Sequence, residues 1–281
     1  MSNMSTPRPL FIGPSWLLPS RGFSYAGPPP ADIRDLDRLS DEWLRLAALF
    51  ERLKSGAWEA GQPLQELVSS SGDDEIRYAG LRIIGHTATR AGRNAIREFF
   101  SHPVEDTRLA AYEAAQYACD LHLVEPLLLA SRGSEMDERL AIMSSLSHLL
   151  EAEPDRLYDD SNGLSQHQYE CLVRSVRRDC ESRYGVDTAI LEGRPLSLAY
   201  IMQRIEVLCD GGEAYEFSGI ISMYFDLFEA LTGRSTIGVF DREVAVDPHA
   251  AINVLAEFQR SGGLARFERG QRYFFGRRLP S

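Results

Sequence analysis

The chain has 281 residues, 44% hydrophobic and 25% charged, which suits one large soluble domain or two modest ones with a sizeable core. A formal net charge of −11 excludes a general nucleic-acid binder, which has to neutralise phosphates with Lys and Arg, and suits a basic partner. Positive charge is almost all arginine, Lys54 being the single lysine, a sign of GC-rich codon usage that points to a bacterial source.

Residues 1–31 predict an extended arm. Its apolar residues Phe11, Trp16, Leu17, Leu18, Phe23 and Tyr25 are interrupted by Pro9, Pro14 and Pro19. A charged start followed by an unbroken apolar core is missing, so this is not read as a signal peptide. The arm is expected to dock on the folded body or on a partner. No run approaches about 18 unbroken apolar residues, so no membrane span is predicted. Cys119, Cys171, Cys180 and Cys209 form neither a CxxC pair nor a zinc-like spacing with histidine. Together these features predict buried free thiols in a cytoplasmic protein.

From 32 to 155 the sequence repeats. GDDEIRYAG, VEDTRLAAY and EMDERLAIM carry Arg77, Arg108 and Arg139, each 31 residues after the last, and SDEWLRLAALF supplies an earlier copy with Arg45. Each unit opens with acidic residues, runs into an apolar pattern of helical period, turns, and continues in a second, shorter helix. In one unit Leu109, Tyr112, Ala115 and Gln116 mark a helical face, while Ala111, Ala114 and Ala118 are small enough for close helix approach. A single helix pair cannot bury its apolar face alone, so neighbours must stack. The expectation is an all-α fold, a right-handed α-α superhelix, with each repeat arginine tying the acidic turn of its unit to a neighbour through a guanidinium fork.

After Pro154 and Gly163 the repeat gives way to a helical region over 156–281. Helices are predicted at about 165–184, 195–210, 215–232 and 247–261. Pro195 is assigned to a first helical turn, Gly233 to a helix stop, and Asp247-Pro248 to an N-cap followed by a first-turn proline. FERGQRYFFGRRLP then reads as a turn and a short extended segment.

Signatures of catalysis are sparse. P-loop, HExxH, GxSxG and dinucleotide-type glycine patterns are all absent. His167 and Cys171 stand four apart on a predicted helix, a spacing that permits a thiolate–imidazole pair, but no third group or oxyanion donor accompanies them. DRLYDDSNG lacks the carboxylate order of a calcium loop and reads as a solvated junction. Of His86, His102, His122 and His148, only the first and last hold equivalent repeat positions, with a unit between them, so they do not converge on a metal. No catalytic residue, metal or other cofactor is assigned. The basic islands RRDCESR and GRRLP read as solvated or internally paired.

The acidic openings Asp73, Asp74, Glu75, Glu105, Asp106, Glu135, Asp137 and Glu138 recur along one edge of the stacked units. Carboxylates at helix N-termini offset the macrodipole, and the same residues form a ridge suited to a basic partner.

The units DDEIRYAG, EDTRLAAY and MDERLAIM resemble HEAT-like repeats, in a compact form similar to that of phycobilin-lyase-type proteins. FEALTG, DPHAAINVLAEF and GQRYFFGRRLP resemble the C-terminal end of bacterial HEAT-like proteins that include immunity proteins of polymorphic-toxin loci. These resemblances imply a non-catalytic immunity protein that occludes a cognate toxin, with no nucleic-acid or membrane partner. The alternatives are a scaffold or regulatory adaptor without a toxin partner, or a lyase-type enzyme with a pocket between repeats and C-terminal region.

Overall fold

The computed structural model describes residues 41–87, 89–151, 157, 164–210, 218–236, 238–240 and 246–280. The N-terminal arm and most of the 152–163 junction lie outside them. Helices dominate: α1 (Glu42–Lys54), α2 (Gly61–Ser70), α3 (Asp74–His86), α4 (Arg90–Phe99), α5 (Glu105–Ala118), α6 (Val124–Ala130) and α7 (Met136–Leu150), then α8 (Gln166–Tyr184), α9 (Leu198–Asp210), α10 (Ser218–Thr232) and α11 (Pro248–Arg260). Two small antiparallel hairpins complete the order, β1 (Ile190–Leu191) with β2 (Arg194–Pro195) and β3 (Tyr273–Phe274) with β4 (Arg277–Arg278). Among the described residues no helix is long and apolar enough to cross a membrane.

The acidic openings are helix starts. Asp41 caps α1, accepting from the backbone N–H of Trp43 and Leu44, and Asp73 caps α3, accepting from Glu75. The first helices of successive units lie side by side: α1 touches α3, α3 packs on α5 over its length, and α5 packs on α7. Close approach between α3 and α5 comes from small residues. A side chain at Gly85 would bring its Cβ to 2.5 Å from the Ala114 carbonyl oxygen, and Ala110, Ala111, Ala114, Ala115 and Ala118 of α5 are all buried. α8 sits against both α6 and α7, in the place of a second helix for the unit that α7 opens. Arg174 pairs with Glu125 of α6 at 2.7 Å, and Arg132, just past α6, holds Glu170 through two bonds of 2.8 and 2.6 Å.

Pro195 does not start a helix. It pairs with Ile190 in the first hairpin, and α9 begins at Leu198. The turn residues explain this: Glu192 and Gly193 have φ of 50° and 65°, the two positive values of a tight I′-like turn whose twist matches the strands. That turn caps α7, with Glu192 N–H donating to the His148 carbonyl at 2.7 Å and Gly193 N–H to Leu149 at 3.0 Å. The second hairpin repeats the device. Phe275 and Gly276 have φ of 50° and 75° and donate to the Ala230 and Leu231 carbonyls at the end of α10. Orphan carbonyls of two helices are thus satisfied by two turns of one design.

Two apolar cores result, and neither stops at the predicted boundary near residue 155. The first contains Trp43, Leu64, Ile84, Leu127 and Leu146 but also Val173, Ile190, Phe274 and Leu279. The second gathers α9, α10 and α11 around Tyr224, Phe225 and Phe228, and draws in Tyr117 of α5 and Cys119 just past its end. Cys119, Cys180 and Cys209 are buried free thiols as expected, whereas Cys171 is exposed. At the closing seam, Phe50 of α1 meets Phe274 and Phe275 edge-on, and Arg277 donates to the Lys54 carbonyl. Buried Glu229 of α10 lies nearby, accepting from the Thr236 N–H and hydroxyl at 2.7 Å each.

Gly193→Ala is expected to cost about 2–4 kcal/mol, from a left-handed residue plus a Cβ driven against the Leu150 carbonyl oxygen. Gly133→Ala, equally left-handed but facing open space, is expected to cost only about 1 kcal/mol, and urea unfolding of the two variants separates strain from packing. Desolvation raises the Glu229 pKa to about 7, so its protonated form favours the folded state. That contribution is fully present below the ordinary value of 4.5 and lost as pH rises through about 7. Wild type is therefore expected to lose stability relative to Glu229→Gln, on the order of 1–3 kcal/mol, between about pH 5 and pH 8 in parallel denaturation curves.

Candidate binding groove

One face of α5 presents Asp106, Leu109, Ala110, Glu113 and Gln116, residues three or four apart and hence stacked along the helix. With Asp74, Glu75 and Tyr78 of α3 on one side and Ala141, Ser144 and Ser145 of α7 on the other, they line a groove of about 490 Å³. Four of the lining residues are carboxylates, none is Lys or Arg, and Leu109, Ala110 and Ala141 make an apolar floor. A second depression of about 570 Å³, lined by Arg97, Glu98, Phe100 and Leu129 among others, has no dominant charge.

Glu113 is held in place by two phenols: the Tyr78 hydroxyl lies 2.9 Å from one carboxylate oxygen and the Tyr117 hydroxyl 3.2 Å from the other. Tyr117 itself is buried, and burial pushes its pKa well above the ordinary phenol value, so it remains a hydroxyl. Behind it lies a buried ion pair between Arg82 of α3 and Asp226 of α10. His86, buried beside the Tyr117 ring at 4.4 Å, is kept neutral by desolvation and by the positive charge of Arg82.

The eight carboxylates read from the sequence do not form one ridge. Asp74, Glu75 and Asp106 line the groove, and Glu105, Glu135 and Asp137 are exposed at the starts of α5 and α7. Glu138 turns inward instead, 5% exposed and ion-paired with Arg108. Asp73 is half-buried, and its carboxylate also accepts from the Trp43 indole of the preceding unit at 3.2 Å. Both corrections follow from helix phase: the side chain of each unit that faces its neighbour is set by rotation about the axis, not by closeness to the acidic start.

The repeat arginines divide in the same way. Arg77 pairs with Asp74, donates to the Ser71 carbonyl, and reaches Thr107 of the next unit at 3.0 Å. Arg108 pairs with Glu138 of the next unit and donates to the His102 and Pro103 carbonyls at 2.8 and 3.2 Å. Side chains of Arg45 and Arg139 make no such bond with the described residues. The sequence reading missed Tyr78 and Glu113, and gave Gln116 only as part of a helical face; the available signal was helical spacing, Tyr78 standing four residues after Asp74 and Glu113 seven after Asp106.

Among the described residues no group of three or more His, Cys, Asp or Glu is placed to hold a metal. His167 Nε2 lies 3.7 Å from the exposed Cys171 sulfur, an i,i+4 pair with no further polar group joined to it among the described residues. Ser144 borders the groove near His148, but His148 Nδ1 lies 2.9 Å from the Ser144 carbonyl, which only accepts; that nitrogen therefore carries the hydrogen and has no lone pair to activate the Ser144 hydroxyl. The arrangement is equipped to hold cationic side chains. No family model, curated protein or solved structure matches the chain.

Arg108→Lys keeps the charge but loses the fork that joins Glu138 to two carbonyls, and is expected to lower Tm by about 2–6 °C. Arg139→Lys, with no bonded partner among the described residues, is expected to leave Tm within about 1 °C in the same scanning calorimetry.

Proposed function

We propose that this chain is a non-catalytic, cytoplasmic bacterial immunity protein, built as a right-handed HEAT-like superhelix, that binds a basic toxin and occludes it. The observation that supports this reading is the groove across α3, α5 and α7, with its four carboxylates and apolar floor. Lys and Arg side chains combine an aliphatic stem with a charged head, so a floor of Leu109, Ala110 and Ala141 beneath Asp106 and Glu113 suits both parts. Val104 and Met136, exposed at the starts of α5 and α7 among Glu105, Glu135 and Asp137, supply apolar anchors beside the charge. The net charge of −11 speeds the approach of a basic partner, and occlusion requires a complementary surface with no bond made or broken.

Co-expression with the toxin encoded by the adjacent gene is expected to restore growth and to yield a stoichiometric complex. The double variant Asp106→Lys/Glu113→Lys, confirmed to be folded by circular dichroism, is expected to lose both. A complex without protection would support the adaptor reading in its place, and the absence of both protection and complex would overturn toxin binding altogether.

A further inference from the structure

The groove and the packing of α10 share one hydroxyl. Tyr117 Oη lies 3.2 Å from Glu113 Oε1, which faces the groove, and 3.1 Å from Asp226 Oδ2 on α10, and it accepts a hydrogen bond from Arg82 Nη2 at 3.2 Å. A phenol has one hydrogen, so Tyr117 donates to one of the two carboxylates at a time. Asp226 has Arg82 as its counter-ion, and Glu113 has the Tyr78 hydroxyl. The tyrosine therefore stands between two charged acceptors whose relative strength decides where its hydrogen points.

We propose that Tyr117 is a relay by which a cationic side chain bound at Glu113 tightens the packing of α10 on α5. A guanidinium on Glu113 occupies the carboxylate oxygens and neutralises their charge, so the Tyr117 hydrogen turns to Asp226 and adds a charge-assisted bond between α5 and α10. Linkage makes the effect reciprocal: a firmly docked α10 leaves Glu113 with one donor fewer and readier to accept a cation. The proposal rests on the groove being the partner site, and it assigns a specific consequence to its occupancy: the second apolar core, through α10, responds to what α3 and α5 hold.

The test is amide hydrogen exchange over Ser218–Thr232 with hexa-arginine as the probe. Saturating peptide is expected to slow exchange in α10 about three- to tenfold, the effect of one added hydrogen bond. Tyr117→Phe, which removes no lining residue and leaves Glu113 its bond from Tyr78, is expected to bind the peptide within about threefold of wild type, yet show no slowing relative to its own free state. Peptide bound to wild type with α10 exchange unchanged, or equal slowing in Tyr117→Phe, would overturn the relay. Peptide that fails to bind counts against the groove as a site for basic partners, and the relay is then decided without ligand. Glu113→Gln removes the competing charge, so slower α10 exchange in that variant, abolished in Glu113→Gln/Tyr117→Phe, supports it, whereas unchanged exchange in Glu113→Gln rejects it.

Discussion

The ion pair between Arg82 and Asp226 is the constraint around which the two halves of the molecule are arranged. Both side chains are nearly inaccessible, at 7% and 4%, and lie on helices far apart in sequence. Charges at that depth are tolerated only when paired and hydrogen-bonded, since either one alone would carry the full cost of desolvation. The pair therefore fixes α3 against α10 in one register. It also determines the character of its surroundings: the Tyr117 hydroxyl accepts from Arg82 and lies 3.1 Å from Asp226, and His86 beside them is confined to its neutral form. A polar knot of this kind adds less to net stability than an apolar cluster of equal volume would, but it admits few alternative packings.

A second polar knot forms two residues away on α10, at Tyr224. Glu192, in the left-handed turn of the first hairpin, accepts from the hydroxyls of Tyr200 and Tyr224, and Arg204 donates to Tyr224 at 3.1 Å. Asp120, 4% exposed, is shared by Arg93 of α4 and Arg272 beside the second hairpin. Arg82, Arg93, Arg204 and Arg272 are thus committed to interior or seam positions. Asp74 in the groove is paired with Arg77, but no lining residue is Lys or Arg, and the groove keeps a negative sign.

Much of the helical order was legible in the sequence because it is encoded locally. Acidic caps, apolar period and Asp247-Pro248 each act within a turn or two of helix, and the observed starts of α3, α5, α8 and α11 fall where those signals stand. The first hairpin was not, since Pro195 satisfies the local rule for a helix start equally well. Its readable signal was long-range: ILEGRPLS and YFFGRRLP share glycine, arginine and leucine in register, and both fold into turns that cap a helix. The groove was half legible. Acidic openings marked its mouth, but Glu113 and Tyr78 acquire meaning only through the lateral contact of α3 with α5, and the inward turn of Glu138 only through the presence of Arg108.

The seam between α1 and the second hairpin also has a consequence for the order of synthesis. Phe274 is fully buried within the first core, against Phe50, and the neighbouring bond from Arg277 to Lys54 spans 223 residues. At about 5–20 residues per second those residues take roughly 10–45 s to be made. Throughout that interval the earliest helices exist without the Phe274 ring that packs against Phe50. Completion of the first unit is thus a late event on the ribosome, timed by the arrival of the second hairpin.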